Sequence, residues 1–345
     1  MQYEQLYLFK KTHAKQTLEL KEKTANSELN VSRKINASFE ITNIPFLECD
    51  FEKVYPTIST ILPSEDIVFN EFSHNTAVLC EIICAAICHQ MNWDYLRKAI
   101  YDKTKSNPSW LYVDHLISIS EREVEELFIS YPKKERIRKK ERTEIIREVG
   151  KWLSRFNEID DIFLDKSKNL YSQNKLKSNL HLCPTFSKDP EEKKTQLLLQ
   201  KLSSLNYYKG LSSYYAPAID YHLIRSYLRR GLLIAKNNYA KNFIYNYNIS
   251  RKESTIAALR ELCAQLMLEI CNYTNLDLIT VNQIEWHIGR SVCIQNNPDC
   301  MLNYKESSWL KPKYTECPFS KTCVAKNYNS NLLQLNEPSY NGNSY

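Results

Sequence analysis

Glycine is nearly missing from this chain, at 5 residues in 345, where an average protein carries about 7%. Folds built on glycine-rich phosphate loops or many tight turns are therefore disfavoured, and no GxGxxG, GxxxxGKS/T or HExxH string occurs. A Rossmann domain, a P-loop ATPase, a kinase and the commonest zinc-protease signature are excluded on this basis, so no nucleotide cofactor is expected. Long hydrophobic runs are missing too. The longest, around Thr76 to Cys88, is broken by Glu81 and falls short of the roughly 20 residues a membrane span needs, so no membrane partner is expected. The start, MQYEQLYLFKKTHAK, has no apolar signal core. A cytoplasmic location follows as the expectation, nucleoid-associated if the source is bacterial.

What the chain does contain is charge, aromatics and cysteine. Lys and Arg number 46 against 40 Asp and Glu, a net +6 that suits a polyanionic partner without demanding one. The length suggests roughly two domains at about 150 residues each. Apolar positions at helical spacing predict helices over 75–101, 118–130, 133–155, 190–205, 220–234, 250–273 and 278–290, whereas strand-like alternation is confined to short stretches within 39–69. The expected fold class is mainly α. Residues 1–40 form a polar N-terminal arm, 41–325 a helical body of two subdomains with a soft boundary near 159–189, and 326–345 a disordered tail. A monomer is expected.

The sharpest signal is Cys293, Cys300, Cys317 and Cys323, spaced C-x6-C-x16-C-x5-C. Eleven cysteines without a secretory signal are better read as thiols or metal ligands than as a disulfide framework. Four thiolates suit zinc or an iron-sulfur cluster, because both accept soft sulfur in a near-tetrahedral array. Structural zinc usually takes knuckles with two to four residues between paired cysteines, so the longer gaps favour a 4Fe-4S cluster in segment 293–323, with structural zinc as the alternative. Cys80, Cys84 and Cys88 recur on one helix face among alanines and isoleucines and are expected in the core, as are Cys263 and Cys271.

With these residues in view, the chain resembles the helix-hairpin-helix DNA glycosylase superfamily, in particular the iron-sulfur branch of endonuclease III and adenine DNA glycosylase. That branch ends in C-x6-C-x2-C-x5-C; here the first and last gaps match and the middle one is fourteen residues longer. ICAAICHQMNWDYLR is similar to an early family helix whose glutamine lies by the DNA, which would place Gln90 there. YYAPAIDYHLIRSYLRRG is similar to the segment that opens on the catalytic aspartate, which falls on Asp220. The hairpin expected upstream departs from the family pattern, since LQKLSSLNYYKGLSSYYAP has only Gly210.

The resemblance implies an N-glycosylase that hydrolyses the N-glycosidic bond of a damaged, mismatched or modified base in double-stranded DNA. Asp220 would open a helix, where unpaired N–H groups and the helix dipole keep a carboxylate ionised. It could then stabilise positive charge on the sugar or orient water; an ordinary N-cap is the competing reading. Lys201 and Lys209 lie near the hairpin as candidate nucleophiles, but neither aligns cleanly, so a monofunctional enzyme is favoured. Gln90, Arg225, Arg229, Lys305, Lys311 and Lys313 are the candidate nucleic-acid contacts. Tyr214, Tyr215 and Tyr221 are candidates for stacking on an extruded base. Two alternatives stay open: a nonenzymatic iron-sulfur nucleic-acid binder, and an N-glycosidase acting on RNA or a modified nucleotide.

Overall fold

Helices make up most of the regular backbone in this computed structural model, which describes residues 39–41, 50–64, 69–165, 170–171, 173–189, 192–204, 216–238, 240–241 and 253–335. Strand β1 (Phe39–Ile41) leads to α1 (Phe51–Ser59), α2 (His74–Ile87), α3 (Trp93–Ser106), α4 (Val113–Ser118), α5 (Glu121–Leu127) and α6 (Lys139–Leu153). A minimal hairpin of β2 (Leu164–Asp165) and β3 (Leu170–Tyr171) precedes α7 (Gln173–Leu180), α8 (Pro184–Ser187) and α9 (Lys193–Ser204). Then come α10 (Tyr221–Arg230), β4 (Leu233–Ala235), α11 (Glu253–Thr274) and α12 (Leu278–His287). A π-helical turn, Ile288–Val292, and α13 (Val324–Asn327) flank the cysteine segment. β1 pairs antiparallel with β4, Phe39 opposite Ala235.

Two hydrophobic cores form. The first gathers Ile82, Ile83 and Ile87 of α2, Ile145, Ile146 and Val149 of α6, and Leu198 and Leu202 of α9. Glu81, which interrupts the apolar run in sequence, is buried here against Arg97, whose guanidinium donates two bonds of 2.6 and 2.8 Å to its carboxylate. The second core joins Phe51, Tyr55 and Ile58 of α1 to Ile224 and Leu228 of α10, Leu259 and Leu266 of α11 and Ile284 of α12. Cys80, Cys84 and Cys183 lie in the first core and Cys263 in the second.

The mainly helical expectation holds, but several boundaries differ. Ile162, Phe163, Leu176, Leu180 and Phe186 all belong to the first core, so no change of core occurs within 159–189; sparse apolar residues at helical spacing anchor a segment that looks polar overall. The last described residue of the first core is Leu202, and the next described member of the second core is Ile219. The predicted helix over 75–101 is two helices, because the chain turns at Cys88–Asn92, where Gln90 has φ 53° and the Asn92 side chain accepts from Tyr95 N (3.0 Å) to start α3. Among the described residues of 39–69 only β1 is a strand. Phe51, Tyr55 and Ile58 follow helical spacing instead, though β-branched neighbours and Pro56 obscure it. Finally, residues 326–335 are packed, with Leu332 and Leu335 buried; residues 336–345 and 1–38 lie outside the described residues. Among the described residues no helix is long and apolar enough to cross a membrane.

Candidate active site and cysteine cavity

Asp220 is the N-cap of α10. Its Oδ1 accepts from His222 N (2.8 Å) and Leu223 N (3.2 Å), satisfying two amides that the first helical turn leaves unpaired. The side chain is buried, at 5% exposure, and its second oxygen has no hydrogen-bond partner among the described residues. Such a carboxylate can bind one group with one oxygen while the backbone holds the other in place.

The extended segment leading to Asp220 is pinned from both cores. Ala216 N donates to Gln196 Oε1 (3.0 Å) and Ala218 N to Asn282 Oδ1 (2.8 Å), which also accepts from Gln200 Nε2 (3.2 Å). Gln196 and Gln200 lie one turn apart on α9, so one face of that helix carries both buried amides. Sequence inspection does not reveal these three residues, because amides on helices carry no motif. On the other side, the π-turn presses against α10: a Cβ on Gly289 would sit 2.9 Å from His222 O. Burial lowers the His222 pKa to about 4, leaving a neutral imidazole near neutral pH, with Nδ1 3.0 Å from Arg225 Nη2.

The other end of α10 meets the cysteine segment. Gly231 caps the helix at φ 77°, a conformation that favours glycine, and a Cβ there would clash with Val324 Cγ2. Cys323 Sγ lies 3.4 Å from Arg229 O, and Cys317 N donates to Cys300 O (2.7 Å). All four candidate cysteines, Cys293, Cys300, Cys317 and Cys323, line one small cavity with Arg229, Arg230, Ile288, Val292, Phe319 and Leu333. Among the described residues no group of three His, Cys, Asp or Glu is arranged to hold a single metal ion. Burial, reinforced by neighbouring thiols, pushes Cys300 up to about 11 and Cys317 and Cys323 upward as well. Arg229 beside Cys300 and Arg230 beside Cys323 favour ionisation, but burial outweighs them. Four sulfurs around one cavity fit a thiolate-bound metal group, zinc or an iron-sulfur cluster.

Arg225 and Arg229 require correction as nucleic-acid contacts. They are 2% and 1% exposed because α10 is buried along most of its length between the second core and the cysteine loop. Arg225 donates to Cys293 O (2.8 Å) and Gly289 O (2.7 Å), and Arg229 to the carbonyls of Ile294 (2.5 Å) and Gln295 (2.7 Å). Both hold the loop. By contrast Lys305, Lys311 and Lys313 are exposed on the segment between Cys300 and Cys317. That segment is built on Asp299, which accepts from Asn303 N and Tyr304 N (both 2.7 Å) and from the Ser307 hydroxyl, and it docks on the π-turn through Trp309 Nε1, which donates to Ser291 Oγ (2.9 Å).

Gln90 sits partly buried in the α2–α3 turn, which two buried cations fix: Lys194 Nζ donates to Ala86 O (2.8 Å) and Arg142 Nη2 to His89 O (2.6 Å). The Lys201 ammonium lies 5.7 Å from the Trp93 ring centroid, and Tyr221 packs on the His222 ring at 4.2 Å. Lys209, Tyr214 and Tyr215 lie outside the described residues. Arg290, unmarked by the sequence reading, bridges the two cores: it pairs with Asp94 and covers the Trp286 ring at 4.7 Å. No family model and no curated protein matches the chain.

Proposed function

We propose that this chain is an iron-sulfur N-glycosylase of the helix-hairpin-helix type, hydrolysing the N-glycosidic bond of a damaged, mismatched or modified base in duplex DNA. One observation carries the reading: a single ten-residue helix, α10, opens on a buried carboxylate and closes against a cavity lined by four cysteines. The helix is about 15 Å long, so the two sites share one rigid element.

In this reading the second oxygen of Asp220 faces the substrate sugar, stabilising positive charge as the bond to the base breaks or holding the water that attacks the sugar carbon. The base leaves with its bonding electrons and takes up a proton from solvent or a neighbouring donor. Neutral His222 contributes no competing positive charge beside the sugar. Gln90, on its fixed turn, occupies the space an extruded nucleotide vacates, and Lys305, Lys311 and Lys313 contact backbone phosphates. A 4Fe-4S cluster held by Cys293, Cys300, Cys317 and Cys323 would be structural, supplying the positive charge those thiolates need and fixing the loop that carries the lysines. The mainly helical body then comprises two subdomains, one per core, with the candidate active site where they meet.

The test is base release from duplexes carrying mismatched, oxidised, alkylated or deaminated bases, with wild type against Asp220→Asn. Turnover by wild type and at least a 100-fold loss in the variant, with DNA affinity unchanged, supports hydrolysis. Binding without base release in either protein instead identifies a nonenzymatic binder, and release only from RNA or free nucleotide moves the substrate class.

A further inference from the structure

We infer that residues 330–335 form the outer wall of the cysteine cavity and that Arg229 is the residue that fastens it. This rests on the proposed metal group but not on any glycosylase activity.

Arg229 projects from the last turn of α10 into the gap between the chain after the π-turn and a 3-10 helix, Ser330–Gln334. From one it binds the carbonyls of Cys293 (3.3 Å), Ile294 and Gln295; from the other, those of Leu332 (3.0 Å), Leu333 (2.6 Å) and Leu335 (3.1 Å). Its Nη1 also lies 3.7 Å from Cys293 Sγ. A guanidinium offers five N–H donors in a planar fork, and here all three nitrogens are engaged. Six carbonyls from the two stretches converge on this one guanidinium, so the segment has a reason to stay in place.

The wall itself is apolar. Leu333 lines the cavity, while Leu332 and Leu335 on either side are buried in the second core. Leu333 therefore stands between the cysteines and solvent, with anchors before and after it. Arg229 holds both the loop that begins with the first cysteine and the wall that covers the set, so loosening either contact opens the same path to the metal group. Outer-shell contacts of this kind usually change metal retention by 10–100-fold.

The experiment uses full-length protein purified without oxygen. Iron content is measured first, then the rate of iron transfer to a ferrous chelator under reducing conditions, for wild type, Arg229→Lys, Leu333→Ser and Ile146→Val, a control in the first core. The expected result is equal iron loading in all four, with release about tenfold faster or more in Arg229→Lys and Leu333→Ser and unchanged in Ile146→Val. Should Arg229→Lys not accumulate as folded protein, Leu333→Ser carries the same comparison without altering a charged group. Equal release from wild type and Leu333→Ser overturns the wall, and equal acceleration in Ile146→Val reduces the effect to general destabilisation. A wild-type protein without iron overturns the metal reading and this inference with it, whereas iron-loaded protein that releases no base leaves this inference intact.

Discussion

Individual side chains in this molecule are held mainly by burial, and His89 shows what that does to titration. Its ring is fully buried, with Nε2 3.6 Å from Glu141 and with Arg142 and Lys194 adding positive charge nearby. Burial lowers its pKa to about 3, so the folded state keeps it neutral while the unfolded chain binds a proton below about 6.5. Between those two values the unfolded state binds more protons, and stability falls as pH drops through the window. Urea midpoints measured from pH 7 to 4 should fall less steeply for His89→Gln than for wild type. Parallel slopes would assign the acid sensitivity elsewhere. Nothing in the sequence marks His89, since a lone histidine after an apolar helix looks the same whether buried or solvated. Asp220 was legible for the opposite reason: an aspartate followed by an apolar-periodic run is a local capping pattern. The role of Arg229 was not, because two arginines before a glycine resemble a charged surface until the partners from residues 293–295 and 332–335 are brought to them.

At the scale of elements, the docking of α1 is the contact most exposed to test. Tyr55 from α1 and Arg230 from α10 converge on the Glu285 carboxylate of α12, with Arg230 Nη1 donating at 2.9 and 2.7 Å, Nη2 donating to the Tyr55 hydroxyl at 3.0 Å, and the guanidinium 3.7 Å from the Phe319 centroid. Removing one partner leaves a buried charge uncompensated. Arg230→Gln should therefore cost about 3–5 kcal/mol in denaturant unfolding, and the Arg230→Met/Glu285→Leu double variant should recover part of that loss. If the double variant is less stable than the single one, the pair does more than neutralise itself. Helix periodicity located α6, α9, α11 and α12 to within a few residues because each carries several turns of apolar spacing. It missed α1, whose nine residues contain proline and β-branched side chains, and it overlooked the turn at Gln90, where no glycine or proline announces the break.

Across the whole molecule, the two cores differ in what holds them. The first is an apolar helix cluster whose described members need no metal group. The second includes Cys293, Cys317 and Cys323 at its margin, and its elements α10 and α13 meet at the cavity. On the proposed iron-sulfur reading, removing the metal should therefore act unequally. Amide hydrogen exchange on iron-depleted protein should show protection lost in 51–59 and 221–335 but kept in α2 to α6; uniform loss would mean that the cores unfold as one unit. The cysteine spacing made the grouping of these four side chains legible from sequence, and the fold does bring all four to one cavity. The extent of the second core was not, since part of it comes from residues 39–59, before the whole of the first core.

That interleaving has a consequence in time. Tyr55 and Glu285 are 230 positions apart, and a ribosome adding about 5–20 residues per second takes roughly 10–50 s to cover that distance. Until α10 and α11 emerge, the apolar face of α1, with Phe51, Tyr55 and Ile58, lacks the helices it packs against, while all the helices of the first core emerge and can pack together. Newly made chains should thus pass through a stage in which a finished N-proximal core trails an unsatisfied helix ahead of it. On the proposed cluster reading, the metal group can be delivered only after Cys323 leaves the exit tunnel, so iron limitation should yield full-length chains whose second core is cut by proteases while the first core persists as a fragment.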